Sequence, residues 1–327
     1  SINGMIYVRG HAWDYDHWRD LGNEGWGYQD VLPYFIKSMH QSRGADDFNG
    51  VGGPLNVQDG NSMLPTHKMF IDAGVEAGYP YVSDFNGPSQ EGVGPIQVTM
   101  TGNRRCSAAK AYLEPIKKRK NLTIMTGTHS LRILFEGRKA TGVEHRQRNQ
   151  TARVSAKREI ILSAGAIQSP QLMMLSGLGD PKELATHSIP CIHALPGVGK
   201  NLQDHLDVMV QYHCLDEKLS LSRYTRMLPM IRAGIRYFLT GAGPAAESTV
   251  QAGGFIKTRT ELDTPDIGFH FIPAFMLDHG RKRVAGTGIG LHVCQLRPAS
   301  RGNISLRSKD PFDAPNIDAN YLHDDKD

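Results

Sequence analysis

One stretch of this 327-residue chain has the residue types of a turn that binds a nucleotide. The sequence predicts a buried strand at Glu159–Leu162, a turn of small residues at Ser163–Ala166, and a helix at Pro170–Leu175 that Ser169 would cap. Small side chains at the carboxyl end of a strand let a ligand approach the backbone. The pattern therefore indicates either a nucleotide-type ligand or an ordinary packed turn, and the residues alone leave both open.

Two other patterns suggest chemistry but have a simpler interpretation. Gly241–Ala246 has the glycine spacing of a dinucleotide loop, but it follows a helix-like segment and contains Pro244, which has no N–H for a phosphate. We interpret it as a plain turn. Four residues of metal-binding types lie close together near the N-terminus: His11, Asp14, Asp16 and His17. Neighbouring side chains point in different directions, so we interpret this cluster as a polar turn and predict no metal site.

Composition and missing motifs exclude several classes of protein. The sequence has no His-Glu-x-x-His, Gly-x-Ser-x-Gly or Gly-x-x-x-x-Gly-Lys-Ser/Thr pattern, which argues against a zinc protease, an α/β-hydrolase and a nucleoside triphosphatase. The net charge of +4 is spread along the chain, which gives no signal for nucleic acid or a membrane surface. Four widely spaced cysteines favour free thiols and a cytoplasmic location. No apolar run could span a bilayer, so any membrane position would be peripheral.

Hydrophobic periodicity predicts the elements that position these residues. Helices are expected at Tyr28–Met39, Pro65–Ala77 and Leu228–Leu239. Strands are expected at Leu122–Thr126, Leu131–Phe135, Thr141–His145, Gly253–Lys257, Ile267–Ile272 and Ile289–Leu296, with a hairpin turn at Glu136–Lys139. The stretch from Asp46 to Gln97 is rich in Gly, Pro and Asn, which is typical of a surface excursion or lid.

Longer strings resemble a known family. Gly165–Gly179 is similar to the second signature of the glucose-methanol-choline (GMC) oxidoreductases, and Ser1–Asp16 resembles the second half of that family's first signature. Pro196–His205 and Pro315–Leu322 are further family-like strings. Asp278–Lys282 is most similar to the branch of bacterial primary-alcohol and choline dehydrogenases. The resemblance covers essentially the whole chain.

This resemblance implies an α/β plus α+β fold, in which a partial FAD-binding domain of the GMC type accompanies a substrate-binding domain with an antiparallel sheet. Residues 1–26 and 102–205 would form the FAD-binding domain, 27–101 a lid region, and 206–327 the substrate-binding domain. Family members also have an N-terminal Gly-x-Gly-x-x-Gly unit and a C-terminal segment with a catalytic His. This sequence contains neither, so we expect an internal fragment that is inactive alone, with its catalytic residues unknown.

The resemblance also implies cofactor-binding residues for FAD. Asn3, Gly4, Met5 and Ile6 would lie beside the flavin ring, the backbone of Ser130 would contact the adenine, and Ala164 and Gly165 would belong to the small-residue turn. Ile2 stands where some choline oxidases have the His that bonds to the flavin, which implies non-covalent FAD. A packed turn is the alternative role for Asn3–Ile6.

Gln251, Phe269 and Phe271 are the predicted substrate residues. Gln251 occupies a position that is often Glu in this branch, and a neutral amide attracts a quaternary ammonium less strongly than a carboxylate does. The resemblance therefore implies an FAD-dependent oxidation of an aliphatic or aromatic primary alcohol to an aldehyde, with choline as the alternative substrate. The two phenylalanines could equally be core residues. A silent remnant acting as a binding protein is the other function considered, and the electron acceptor, quinone or oxygen, stays open.

Overall fold

A computed structural model describes residues 3–61, 63–246, 248–276, 282 and 286–327. Ile2 and most of Asp278–Lys282 therefore lie outside the described residues. Packing divides the chain into two compact units: unit 1 comprises 1–122 and 207–296, and unit 2 comprises 123–206 and 297–327. These units follow packing, whereas the domains expected from the sequence follow function, so the domain boundaries stay predictions.

Short helices and strands make up both units. The helices are α1 (Ala12–Asp20), α2 (Tyr28–Ser38), α3 (Pro65–Glu76), α4 (Gly165–Leu175), α5 (Pro181–Thr186) and α6 (Met227–Thr240). The strands are β1 (Met39–Gln41), β2 (Leu55–Val57), β3 (Gly92–Pro95), β4 (Met100–Thr101), β5 (Arg104–Arg105), β6 (Thr128–Glu136), β7 (Lys139–Gln147), β8 (Gln150–Ser155), β9 (Leu178–Gly179), β10 (His193–Ala194), β11 (Asp207–His213), β12 (Ala252–Ile256), β13 (Ile267–Ile272), β14 (Gly288–Gln295), β15 (Asn303–Ser305) and β16 (Asn316–Asp318).

Unit 1 is organised around a five-stranded antiparallel sheet with the strand order β11–β14–β13–β12–β3. Four of these strands come from the region predicted to bind substrate, and β3 comes from the stretch predicted as a lid. The antiparallel sheet expected for substrate binding is therefore confirmed, with two strands, β3 and β11, more than the sequence indicated.

The two faces of this sheet bury different partners, because successive side chains of a strand point to opposite sides. On one face Phe271 packs against Ile71 of α3. On the other face Ile272 belongs to a buried cluster that also packs on Ile6 and Val8. The N-terminal segment predicted to lie beside the flavin is thus fixed against the sheet.

Unit 2 contains the three-stranded antiparallel sheet β6–β7–β8 together with α4 and α5. Met174 of α4 and Leu184 of α5 are fully buried with Ile304 and Leu306. The predicted hairpin is confirmed, since β6 and β7 pair through Glu136 and Lys139.

Three sequence predictions are wrong. Leu122–Thr126 and Glu159–Leu162 form no strand, and Ile161 is 77% exposed. An apolar strand needs a hydrogen-bonding neighbour and a surface to cover it, and neither segment has a strand partner in the described parts of the chain. Helix α4 begins at Gly165, so Ser169 lies inside it, where its Oγ accepts the N–H of Ala164 at 3.1 Å instead of capping the helix.

The other periodicity predictions are confirmed by α2, α3, α6, β12, β13 and β14. Gly241–Ala246 is a turn after a helix, as expected, and Gly241 ends α6 with a φ of 66°. His11 and Asp14 cap α1: Trp13 N–H donates to His11 Nδ1 at 3.1 Å, and His11 N–H donates to Asp14 Oδ2 at 2.8 Å. Across the described ranges, no helix combines the length and apolar composition needed to cross a bilayer.

Candidate active site

Residues 3–6, predicted to lie beside a flavin ring, are held in unit 1 by hydrogen bonds. Arg105 Nη1 donates to Asn3 O at 2.8 Å and to Asn3 Oδ1 at 2.9 Å. Ser248 Oγ donates to Gly4 O at 3.3 Å. Met5 has a φ of 68°, a left-handed backbone conformation that residues other than Gly rarely adopt. Such positions are maintained only where the surroundings fix them, and they cluster at functional sites.

A cavity of about 630 Å³ in unit 1 adjoins this segment. Its wall includes Ser248, the residue that donates to Gly4, and Gln251, the predicted substrate residue. Other lining residues come from the start of α3, the turn before α6, and the end of α6: Asn61, His67, Arg223, Tyr224 and Arg236. The predicted substrate residue Gln251 therefore lies in the cavity wall, and the predicted flavin residue Gly4 is hydrogen-bonded to a wall residue without lining the cavity itself.

Gln251 is fixed in this wall and is only 2% exposed. Its Nε2 donates to Ser248 O at 2.9 Å. A Cβ atom on Gly60 would lie 2.2 Å from Gln251 Oε1, so only glycine allows the two segments to approach so closely. A glutamate carboxylate at this position would have no hydrogen to donate to the Ser248 carbonyl. The local geometry therefore suits an amide.

The charged groups of the cavity are cationic. Arg223 and Arg236 are in the lining, and no carboxylate is among the lining residues that the structure describes. Glu247, next to Ser248 in sequence, lies outside the described residues. His67 is 1% exposed, and burial lowers its pKa, so the imidazole is neutral at pH 7 and adds no further charge.

Phe269 and Phe271 are not among the residues lining this cavity. Phe271 is buried, with its ring stacked on Phe70 at a centroid distance of 5.1 Å and edge-on to His67 at 5.7 Å. Phe269 lies two residues earlier on β13 and therefore on the same face. This packing gives Phe271 the core role that the sequence left open, and substrate contact by either ring stays a prediction.

The other predicted cofactor residues are in unit 2, and all three are exposed. Ser130 lies on β6 beside a register shift between Ser130 and Arg132. Ala164 and Gly165 begin α4, where Gly165 has a φ of 86° and no atom within 4 Å of the position that a Cβ would occupy. Exposed small residues with open space around them allow a group as large as FAD to approach the backbone, so these positions fit the cofactor.

A second cavity, of about 320 Å³ in unit 2, was not assigned from the sequence. Ala166 and Pro170 of α4 line it together with residues 199–203, which belong to a family-like string. Gly199 has a φ of 77°, and a Cβ there would lie 2.2 Å from Ile304 O. Asn201 also has a left-handed φ, of 58°. The Gly and Asn of that string were the available signal, because both residue types mark left-handed backbone.

One hydrogen bond in unit 2 joins the family-like strings Pro196–His205 and Pro315–Leu322. Tyr321 Oη donates to Asp204 Oδ2 at 2.5 Å. This bond to the carboxylate raises the pKa of the Tyr321 hydroxyl. The resemblance in these strings therefore corresponds to a defined contact of the fold.

Comparison with known proteins agrees with this arrangement. The family model described as GMC oxidoreductase matches residues 1–207. The mitochondrial choline dehydrogenase of Mus musculus is 42% identical over the whole chain, which covers 55% of that enzyme. The alcohol dehydrogenase (acceptor) of Pseudomonas putida is also 42% identical over the whole chain, which covers 60% of that enzyme. The chain thus spans a little over half the length of these relatives.

A solved structure shows the same fold. Pyridoxine 4-oxidase from Mesorbium loti superposes with a TM-score of 0.85 at 28% identity, over 99% of this chain and 60% of that one. The strings that suggested a resemblance, the matched family model and this fold all agree. The chain belongs to the GMC oxidoreductase family.

Proposed function

We propose that the protein is an FAD-dependent oxidoreductase that acts on the CH–OH group of a primary alcohol, aliphatic or aromatic, and releases an aldehyde. The observation that carries this proposal is the position of Ser248, which lines the unit 1 cavity together with Gln251 and donates a hydrogen bond to Gly4. A substrate in this cavity would lie next to the segment assigned to the flavin. FAD, when bound, supplies the hydride acceptor.

The resemblance supplies the cofactor-binding residues of the proposal. Asn3, Gly4, Met5 and Ile6 would position the flavin ring, and Ser130, Ala164 and Gly165 would contact the remainder of FAD. Non-covalent binding is part of the proposal, because isoleucine at position 2 has no nucleophilic atom that could bond to a flavin. The reduced cofactor would pass its electrons to a quinone or to oxygen, and we propose a cytoplasmic location.

Charge in the cavity supports an uncharged substrate over choline. Arg223 and Arg236 repel a quaternary ammonium, and Gln251 offers it an amide in place of a carboxylate. An alcohol hydroxyl needs hydrogen-bonding partners, which the Tyr224 and Asn61 side chains of the lining can provide. Choline remains the second candidate, because several of the relatives are named choline dehydrogenases.

The test uses the full-length protein that contains this chain, loaded with FAD, and compares benzyl alcohol and butanol with choline as reductants, followed as loss of oxidised-flavin absorbance without oxygen. We expect faster reduction by the uncharged alcohols. Thermal shift of the same protein with each compound gives a binding readout besides activity. Choline reducing the flavin faster would overturn the substrate proposal, whereas failure to take up FAD would overturn the enzyme proposal and favour a silent binding protein.

A further inference from the structure

A small cavity in unit 1 lies beside a buried arginine. Its volume is about 60 Å³, and Arg9 is in its wall together with the start of α1, residues 85–88, Tyr28 and Phe48. All of these residues belong to unit 1, and Arg9 is only 7% exposed. The chemistry of this cavity is therefore set by a guanidinium that water hardly reaches.

The contacts of this guanidinium are all with uncharged groups. Arg9 Nη1 donates to Phe48 O at 2.8 Å, and Nη2 donates to Met39 Sδ at 2.8 Å. Arg9 Nε is buried without a hydrogen-bond partner, and no carboxylate in the described part of the chain forms an ion pair with it. The Phe35 ring, 5.0 Å away, stabilises the cation only in part. A buried cation in such surroundings is costly unless an anion accompanies it.

The carboxylates near this cavity are held by other groups. Asp46 Oδ1 accepts the N–H of Phe48 at 2.8 Å and that of Asn49 at 2.7 Å. Asp84 accepts Asn86 N–H at 2.8 Å and Asn49 Nδ2 at 2.9 Å. Neither carboxylate is hydrogen-bonded to Arg9, so neither takes the place of the missing anion.

The start of α1 adds an N–H group to the same wall. Trp13 N–H donates to His11 Nδ1, and Asp14 N–H donates to His11 O at 2.9 Å. The Asp14 carboxylate accepts His11 N–H. Ala12 lines the cavity, and its N–H has no acceptor among the residues that the structure describes. Such N–H groups at the start of a helix carry partial positive charge and favour an anion.

The size of the cavity and the rest of its wall indicate which anion fits. Burial raises the pKa of Tyr28, so its hydroxyl keeps its proton at pH 7 and can donate a further hydrogen bond. Phe48 and Phe85 make part of the wall apolar. At about 30 Å³ per water molecule, the cavity has room for about two water-sized groups. It therefore admits a chloride ion but not the five heavy atoms of phosphate or sulfate.

We propose that unit 1 binds a chloride ion in this cavity, held by Arg9 Nε, Ala12 N–H and the Tyr28 hydroxyl. The ion neutralises the guanidinium and joins the start of α1 to the N-terminal segment. Asn86 already fixes that segment, because its Oδ1 accepts Arg9 N–H at 2.8 Å and its Nδ2 donates to Tyr7 O at 3.0 Å. No residue of the substrate cavity takes part, so the proposal does not rest on the alcohol chemistry.

The experiment measures the melting temperature of the full-length protein that contains this chain, as sodium chloride replaces sodium gluconate at constant ionic strength. Gluconate is too large for the cavity, so a chloride site gives a saturable rise. Ala12→Pro removes the N–H at a helix position that tolerates proline and should weaken chloride binding about tenfold, because one hydrogen bond to an anion is lost. The matched control Ala12→Ser keeps the N–H and should keep the rise. Arg9→Gln should abolish the rise, whereas Arg226→Gln, at an exposed arginine paired with Glu217, should keep it.

Bromide gives a second readout, because its anomalous X-ray scattering locates it in crystals of the same protein. We expect bromide at hydrogen-bonding distance from Arg9 Nε and from the backbone nitrogen of Ala12, with lower occupancy in Ala12→Pro than in Ala12→Ser. Water alone in the cavity in the presence of bromide would overturn the proposal. A melting temperature that does not respond to chloride, or that rises equally in Ala12→Pro and Ala12→Ser, would overturn it as well.

Discussion

His67 should make the stability of unit 1 depend on pH. Leu64 N–H donates to its Nδ1 at 3.1 Å, and its Nε2 lies 3.4 Å from Thr249 O. The hydrogen bond from Leu64 requires that Nδ1 carries no proton, so the proton of the neutral ring is on Nε2. Burial penalises the charged ring and so lowers the pKa of His67. A proton on Nδ1 would also set a second N–H against that of Leu64.

The direction of the effect follows from the two states. In the unfolded chain His67 titrates near its ordinary value of about 6.5, whereas its folded pKa is lower. Between these values the unfolded state binds more protons, so acid favours unfolding. The contribution of neutral His67 is complete above about pH 6.5 and is lost as the pH falls toward the folded pKa, at up to about 1.4 kcal/mol per pH unit.

Urea unfolding of the protein and of His67→Gln at about pH 8 and about pH 5.5 measures this effect. Glutamine can accept from Leu64 N–H and donate to Thr249 O without titrating, so its free energy of unfolding should fall less in acid than that of the original protein. His193→Gln, which changes an exposed histidine, is the control and should keep the original slope. Equal acid sensitivity of the original protein and His67→Gln would refute the reasoning.

Two further substitutions test the packing around the cavity. Phe271→Ala should lower the free energy of unfolding, measured in urea, by about 3–5 kcal/mol. The control Phe238→Ala changes an 87% exposed ring and should alter the free energy of unfolding by less than about 0.5 kcal/mol. Similar losses in the two variants would contradict a core role for Phe271. Gly60→Ala should cost about 1–3 kcal/mol because its Cβ would lie 2.2 Å from Gln251 Oε1. Gly197→Ala, where a Cβ meets nothing within 4 Å, should be nearly neutral, and an equal cost would argue against that close approach.

Local periodicity was sufficient for elements whose own residues define one buried face. Helix α2, with Leu32 buried, and the strands β12, β13 and β14 have such a face, and their positions were predicted. Glu159–Leu162 was not, because an apolar run of four residues becomes a strand only if neighbours pair with its backbone. The start of α4 was also misplaced, since Ser169 has the residue type of a cap but satisfies the N–H of Ala164 from within the helix.

The candidate site shows a different limit of sequence reasoning. Resemblance supplied Gly4 and Gln251 separately, but the link between them is Ser248, which is 244 positions from Gly4 and hydrogen-bonded to it. Hydrophobic periodicity cannot predict such a contact, because the contact forms only when the N-terminal segment packs against the unit 1 sheet. The cationic lining was missed for the same reason, since Arg223 and Arg236 have ordinary neighbours in the sequence.

The proposed preference for an uncharged substrate rests partly on an interaction that a charge count alone would not reveal. An amide at position 251 donates to the Ser248 carbonyl, and the absent side chain of Gly60 leaves room for it. Glutamate in the same place would lose that donor and put a carboxylate oxygen against a carbonyl oxygen, so attraction for a quaternary ammonium would come with a local penalty. Under the proposed function, Gln251, Ser248 and Gly60 would therefore act together in favouring an uncharged substrate.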